Sequence, residues 1–308
     1  MTSSNDRVFD SLKDLHGKYN GERIFVIGNG PSLSETPLDR IASEYSFALN
    51  RVNFVYENVE WRPDFYTFIK SSMNDQEQKM VEENIDLGCV CFLNKKYRER
   101  LGDHDNVFYI QRRKLDSDPL SLATSGNPDI EAVETEALHR YWSDDIIEGV
   151  YKQHSMYPLL QIVGYLGFNE VYLLGCDLGF EVQKPYMLFD GGLDPGEFQN
   201  KIDFLTSSIK SGNLIKSCIN ASFFKFMLTR PGDRILRRTT DLFKNNSHFT
   251  ESYDGKIRFT DVNEQISNAH RVAKKILEES GVQVYNATLG GELEVYPRVS
   301  LEQVLSKI

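Results

Sequence analysis

The chain has 308 residues and a formal net charge of −10, because 45 acidic side chains outnumber 35 basic ones. A chain of this length can bury a large core, and 40% of its residues are hydrophobic, so we expect a globular fold that needs no disulfide bonds. An acidic surface repels a phosphate backbone, which disfavours broad nucleic-acid binding.

The N-terminal residues 1–23 are polar and contain no apolar run typical of a signal peptide. No other segment has an apolar run long enough to predict a membrane-spanning helix, so we expect a cytoplasmic protein. Residues 1–20 are predicted to form a helical lead-in, since apolar residues recur at helical spacing within 7–20.

Short apolar runs alternate with helical segments along most of the remaining chain. The runs at 23–27, 45–49, 65–69, 89–93, 107–110, 170–174 and 282–285 predict strands, and residues 156–166, 262–280 and 300–307 predict helices. This alternation predicts an α/β fold with a doubly wound, mainly parallel sheet. Ligands of such sheets bind beyond the carboxyl ends of the strands.

Three further segments are predicted after the lead-in. Residues 21–177 form a Rossmann-like core, and residues 178–250, which are punctuated by Gly and Pro pairs, form an inserted lid. Residues 251–308 complete the α/β core.

A glycine loop, Gly28-Asn-Gly-Pro-Ser-Leu33, follows the first predicted strand. Its glycines allow backbone N–H groups to approach a phosphate, and Ser32 adds a hydroxyl donor, but a tight turn without a ligand fits the same residues. The loop lacks the third glycine of the dinucleotide fingerprint and the lysine of a Walker loop, which disfavours NAD and P-loop binding. Asn50, at the end of the second strand, suits recognition of a sugar or base edge, or else a cap or turn.

Two charged features of the sequence are candidates for metal or anion binding. Asp177 ends a predicted strand where a metal or a substrate hydroxyl could be met, but no recognisable metal spacing surrounds it, so no metal site is predicted. Residues 225–244 hold six basic residues against two acidic ones, next to an apolar run that begins at 223. This segment suits an anionic donor, a phosphorylated acceptor or an anionic membrane surface, or else forms a solvated helix face.

Four motifs in this order, at 27–33, 47–50, 166–177 and 246–249, resemble two related families. One is the bacterial sialyltransferases of glycosyltransferase family 42. The other is the 6-hydroxymethylpterin pyrophosphokinase-like family, which includes flagellin-modifying motility accessory factors. The resemblance covers about residues 17–300, and it implies a nucleotide-sugar-binding domain of the GT-A type with a lid, and a sugar acid linked to CMP as the donor.

The resemblance also implies roles for individual residues. By this resemblance the catalytic pair is Tyr186 and His248, and the donor is bound by Asn29, Gly30, Ser32, Asn50, Lys152 and Ser155. Gly28 of the same glycine loop and Asp177 at the end of its strand complete the predicted donor-binding set. Within this set Lys152 stands where the sialyltransferases have an arginine. Asn50 would contact the nucleotide portion of the donor.

The chemistry of the catalytic pair fits a sugar transfer. An unperturbed imidazole pKa near 6.5 leaves His248 largely neutral at pH 7, so it can accept the proton of an attacking hydroxyl. Tyr186 can donate a hydrogen bond to a departing phosphate without adding charge. A loop histidine and a half-buried lid aromatic are the alternatives for these two positions.

The predicted function is therefore transfer of sialic acid or a related nonulosonic acid from a CMP donor to a glycan, lipid-linked oligosaccharide or protein hydroxyl, with no cofactor required. Two further alternatives stay open: residues 223–244 contact the inner face of a membrane, and the chain forms a homo-oligomer. The alternatives are a Mg²⁺-dependent pyrophosphokinase acting on a hydroxymethylpterin, and a non-catalytic nucleotide-binding protein. A comparison of thermal stabilisation by CMP or CDP with that by ATP and Mg²⁺ discriminates between these classes.

Overall fold

The computed structural model describes residues 11–113, 130–178 and 263–306, all of which belong to one compact unit. Nearly all of the predicted lid lies outside these ranges, so the four predicted segment boundaries stay predictions. Among the described residues, no helix is long and apolar enough to cross a membrane.

Seven parallel strands form the main sheet of the described residues. They are β1 (Arg23–Ile27), β2 (Ser46–Leu49), β3 (Phe65–Phe68), β4 (Val90–Asn94), β5 (Val107–Ile110), β8 (Glu170–Leu174) and β9 (Gln283–Asn286). A second, two-stranded sheet pairs β6 (Arg112–Arg113) with β7 (Val150–Tyr151), also in parallel. The predicted parallel α/β fold is confirmed, and every strand predicted within the described residues lies within one residue of its observed position.

The strand order is β5-β4-β3-β2-β1-β8-β9. The chain therefore winds outward from β1 in one direction through β5 and then returns to the other side of β1 with β8. The topological switch point lies between β1 and β8, where parallel sheets of this type leave a crevice at their carboxyl edge.

Apolar residues on alternate positions of each strand face opposite sides of the sheet, and each side has its own buried core. One core packs α4 (Met156–Leu166) and α5 (Asn263–Glu279) against side chains such as Val26 and Leu173. The other packs α1 (Asp75–Asp86) and α6 (Leu301–Leu305) against side chains such as Phe25 and Leu174. Both faces of the sheet are therefore covered, which is why its strands are apolar along their length.

Two shorter helices are α2 (Arg98–Leu101) and α3 (Thr135–Leu138), and Leu138 of α3 is buried in the same core as α4 and α5. The predicted terminal helix begins as expected, since Ser300 accepts a hydrogen bond from the Gln303 N–H (3.1 Å) in a capping box.

Only residues 11–20 of the predicted lead-in are described, so the prediction for the whole segment stays a prediction. From residue 11 onward the chain forms one 3₁₀ turn, Leu12–Leu15, followed by further turns. Gly17 adopts a φ of +63°, which ends the turn, and its N–H donates to the Tyr165 carbonyl (2.9 Å) instead of continuing a helix. The apolar spacing reflects burial of Leu15 against the core rather than a helical face.

Candidate functional site

The glycine loop after β1 packs closely against the segment that follows β8. The Gly28 N–H donates to the Leu174 carbonyl (2.7 Å), and the Gly30 N–H donates to the Gly175 carbonyl (2.8 Å). A Cβ at Gly28 would lie 2.2 Å from the Gly175 oxygen, and a Cβ at Gly30 would lie 1.8 Å from Oδ2 of Asp177. Both glycines are therefore required by the close approach of neighbouring groups.

Asp177 joins this loop to the one that follows β9. Its carboxylate accepts hydrogen bonds from the Ser32 N–H (3.0 Å) and the Ser32 hydroxyl (2.9 Å), and its carbonyl accepts from the Glu292 N–H (2.6 Å). Burial raises the pKa of Asp177, and the hydrogen bonds from Ser32 offset only part of that effect. Ser32 and Asp177 thus already have each other as partners.

Asn29 borders both the glycine loop and β2. Its Nδ2 donates to the Leu49 carbonyl (3.1 Å), which fixes the orientation of the amide. Its Oδ1 is buried and has no hydrogen-bond partner among the residues that the structure describes. A buried acceptor left without a donor costs about 1–3 kcal/mol, so a ligand donor would remove that cost.

A narrow pocket lies between the carboxyl ends of β2 and β3 and the start of α4. Its polar lining is Asn50, Thr67, Lys152 and Ser155, and its apolar lining is Leu49, Ile69 and Pro158. Three members of the predicted donor-binding set, Asn50, Lys152 and Ser155, are therefore brought together although about 100 residues separate the first from the others.

Asn50 turns the chain away from β2 in an uncommon conformation. Its φ is +54°, in the left-handed region that Asn tolerates better than most other residues. The Asn50 N–H donates to the Thr67 carbonyl (3.1 Å), and the Tyr66 hydroxyl donates to the Asn50 carbonyl. The backbone of Asn50 is thus fixed from both sides, while its side-chain amide has no hydrogen-bond partner among the described residues.

Lys152 follows β7 and is half-buried at the pocket. In the part of the chain that the structure describes, its ammonium group has no carboxylate partner and no hydrogen bond. Burial lowers the pKa of Lys152 to about 8, and the positive charges of Arg112 and Lys70 contribute to the same shift. The pocket therefore contains an uncompensated cation near neutral pH.

Ser155 precedes the first residue of α4 but does not cap the helix. Its φ and ψ of −69° and −31° are helical, and its hydroxyl makes no capping hydrogen bond. Within the described ranges this hydroxyl has no other partner.

A buried carboxylate, Glu77, connects three elements near the pocket. Glu77 accepts from the Arg51 Nε (3.2 Å), from the Lys70 ammonium and from the Asn74 N–H (3.1 Å), and it completes the capping box that begins α1. Burial acts to raise the pKa of Glu77, but the hydrogen bonds from Lys70 and Asn74 and the nearby positive charges outweigh it, so the pKa is lowered. Glu77 thus anchors the residue after Asn50 and the end of β3 together.

The predicted site residues divide into three groups. Gly28, Gly30, Ser32 and Asp177 form the packed loops at the β1–β8 edge, Asn50, Lys152 and Ser155 line the pocket, and Asn29 lies between them. Tyr186, His248 and the segment 223–244 lie outside the described residues, and their roles stay predictions.

Sequence reasoning missed Glu77 and Arg112. The signal for Glu77 was present, because Asn74 followed three residues later by Glu is the pattern of a capping box. The signal for Arg112 was its position just beyond the predicted strand 107–110, because ligands of parallel sheets bind beyond the carboxyl ends of the strands. No group of three or more His, Cys, Asp or Glu side chains within the described residues is arranged to hold a metal ion.

No protein-family model matches the chain, and a comparison with curated protein sequences finds no match. Among solved structures, the MAf glycosyltransferase from Magnetospirillum magneticum AMB-1 is similar over 92% of this chain, with 14% identity and a TM-score of 0.42. The match spans only 34% of that longer chain.

Two structures of a sialyltransferase are also similar. CstII from Campylobacter jejuni, in complex with the substrate analogue cytidine-5'-monophosphate, matches 55% of this chain and 70% of its own, with 16% identity and a TM-score of 0.30. A point variant of CST-II in complex with CMP matches 91% and 86%, with 15% identity and a TM-score of 0.37. At such identities and scores these likenesses assign no activity to this chain.

Proposed function

We propose that this chain is a glycosyltransferase that transfers a sugar acid from a CMP-activated donor to a hydroxyl of a glycan, lipid-linked oligosaccharide or protein. The observation that supports it is the pocket in which Asn50, Lys152 and Ser155 present an amide, a cation and a hydroxyl without partners among the described residues. These are the functional groups needed to bind a nucleotide and its phosphate.

Asn50 binds the nucleotide portion in this proposal, because its amide can donate and accept in one plane and its backbone is fixed by Thr67 and Tyr66. The orphaned Oδ1 of Asn29, next to the end of β2, accepts a hydrogen bond from a hydroxyl or amino group of the same ligand. Lys152 and Ser155 bind the phosphate.

The transfer step is a displacement at the anomeric carbon. The acceptor oxygen forms the new bond to that carbon, the bond from the carbon to the phosphate oxygen breaks, and CMP leaves with the electron pair. Lys152 stabilises the negative charge on the departing phosphate, and this electrostatic attraction is stronger in a half-buried pocket than in water. His248 accepts the acceptor proton and Tyr186 donates to the departing phosphate, as the family resemblance implies.

Ligand binding tests the proposal most directly. We expect CMP to raise the melting temperature and to bind measurably by calorimetry, and we expect Asn50→Ala and Lys152→Met each to weaken CMP binding at least tenfold. Tenfold corresponds to about 1.4 kcal/mol, which is typical of one charge-assisted hydrogen bond. Release of CMP from CMP–sialic acid is the activity readout.

Lys13→Met provides the matched control. It removes the same charge from an exposed lysine in the 3₁₀ turn near the C-terminal end of α4, away from the pocket at the start of that helix. This variant should bind CMP like the unmodified protein. Stabilisation by ATP with Mg²⁺ but not by CMP would instead favour a pyrophosphokinase, and binding without any release of CMP from a sugar donor would favour a non-catalytic protein.

A further inference from the structure

Arg112, in β6, is a second cation near Lys152, the lysine that lines the pocket. β6 and β7 pair in parallel with Arg112 opposite Val150 and Arg113 opposite Tyr151. Because side chains alternate along extended chain, Arg112 and Val150 share one face of this ribbon, and Lys152 follows two positions after Val150. Arg113 lies on the other face, where its guanidinium group stacks over the Tyr151 ring at 4.6 Å.

Arg112 and Lys152 differ from the other cations at this edge of the sheet. Arg51 and Lys70 both pair with the single buried carboxylate of Glu77. Neither Arg112 nor Lys152 has a carboxylate partner among the described residues. The charge of Arg112 reaches Lys152, since it contributes to the lowered pKa of that ammonium group.

Two neighbouring cations without a counter-charge are unfavourable in a half-buried place, because each loses hydration and each repels the other. An anionic ligand removes both costs. A guanidinium group in particular matches a carboxylate or phosphate through two parallel hydrogen bonds, which a lysine cannot reproduce. The arrangement therefore suits a ligand with two anionic groups rather than one.

We propose that Arg112 and Lys152 form a two-point anion site, in which Lys152 binds the nucleotide phosphate and Arg112 binds a second anionic group on the transferred sugar. The identity of that second group as the carboxylate of a sugar acid rests on the proposed function. The two-point site itself rests only on the placement and the missing counter-charges of the two cations. Arg112 is then the residue that selects acidic sugars over neutral ones.

Calorimetry with two ligands tests this role. Arg112→Gln should weaken the binding of an unreactive CMP–sialic acid analogue at least tenfold, and it should weaken the binding of CMP itself less than threefold. Arg113→Gln is the matched control, because it removes the same charge one residue away on the opposite face and should change both affinities less than twofold. Equal weakening by the two variants, or no change with Arg112→Gln, would overturn the proposal.

A nucleotide-free measurement separates this proposal from the proposed function. Pyrophosphate should raise the melting temperature of the unmodified protein more than phosphate at equal concentration, and Arg112→Gln but not Arg113→Gln should remove the difference. If this holds while CMP and its sugar conjugate fail to bind, the two-point site stands and the proposed function is wrong. If pyrophosphate gives no advantage that depends on Arg112, the two-point site is wrong whatever the nucleotides do.

Discussion

The two halves of the sheet's carboxyl edge differ in whether their polar groups have hydrogen-bond partners within the protein. At the ends of β1, β8 and β9, which we call the closed half, Ser32 and Asp177 bond to each other and Arg298 donates to the carbonyls of Gly290 and Gly291 (2.6 and 2.9 Å). At the ends of β2, β3 and β5 and the start of α4, which we call the open half, Lys152 and other polar side chains lack partners within the described residues.

This difference separates folding from binding. Buried polar groups must be paired to avoid a cost, and the closed half pairs them within the protein. The open half pairs Glu77 with Arg51 and Lys70, but Asn50, Lys152 and Ser155 lack side-chain partners among the described residues, and in the proposed function these three bind the ligand. The closed half contains both the topological switch point and the glycine loop, which usually form the ligand site in parallel sheets of this type. In this protein, however, its hydrogen bonds and close contacts join one loop to another.

Gly28→Ala should produce the largest effect and would break the closed half. The added Cβ would meet the Gly175 carbonyl at 2.2 Å, and that oxygen belongs to backbone that cannot move without disturbing β8. We expect a loss of about 3 kcal/mol in the free energy of unfolding, measured with urea. The protein that remains folded should keep its CMP affinity within threefold.

Gly88→Ala is the control for backbone strain alone, because Gly88 has a φ of +78° but nothing within 4 Å of an added Cβ. It should cost about 1 kcal/mol. Lost CMP binding in a Gly28→Ala protein of unchanged stability would contradict the division and assign the glycine loop to the ligand site.

The pH dependence of CMP affinity tests whether Lys152, in the open half, binds the ligand. An anion binds the charged form of Lys152, whose pKa is about 8 in the free protein, so binding raises that pKa and takes up a proton. CMP affinity should be constant near pH 7 and fall above pH 8, with a slope approaching tenfold per pH unit. The pKa of Glu77 is lowered, so its carboxylate stays ionised over this range, and burial raises the pKa of Tyr97, so these two neighbours do not titrate there.

Lys152→Arg tests the same point from the opposite direction, since a guanidinium group remains charged to above pH 12. Its CMP affinity should be flat from pH 7 to pH 9.5. Calorimetry in buffers of different ionisation enthalpy reports the proton uptake independently. A parallel decline of affinity in both proteins would place the titrating group elsewhere.

Ser32→Ala should produce the smallest effect. It removes one hydrogen bond to Asp177 but leaves the Ser32 N–H in place, so the free energy of unfolding should fall by about 1 kcal/mol. Ser34→Ala, which removes an exposed hydroxyl bond to the Pro31 carbonyl (2.8 Å), should cost less. CMP affinity should stay within twofold in both variants, and a tenfold loss only in Ser32→Ala would support the donor-binding role that the resemblance implies.

The sheet was predictable because its determinants are local. Runs such as 23–27 and 170–174 are apolar on both faces, short, and bounded by turn residues, and both strands occur at the predicted positions. The described part of the lead-in, residues 11–20, forms a single 3₁₀ turn, and the determinants there are not local. Its apolar residues, such as Leu15 and Tyr19, are buried by contacts with distant segments, which local spacing alone cannot distinguish from a helical stripe.

The site was only partly predictable. Resemblance indicated Asn50, Lys152 and Ser155, and the fold brings them to one pocket. The partners of Ser32 and Asp177 could not be foreseen, because they depend on which loops meet across 145 residues of sequence. The absence of a counter-charge for Lys152 within the described residues depends equally on three-dimensional neighbours.

Glu77 has a consequence for how the sequence can change over evolution. Its single carboxylate serves the beginning of α1, the arginine after Asn50 and the lysine after β3, so no replacement can be neutral for all three. Loss of Glu77 removes the buried carboxylate that pairs with both Arg51 and Lys70, so we expect such a change to be accompanied by replacement of both basic residues. Related sequences should therefore retain Arg51, Lys70 and Glu77 as a set or exchange them as a set, and mixed combinations should be rare.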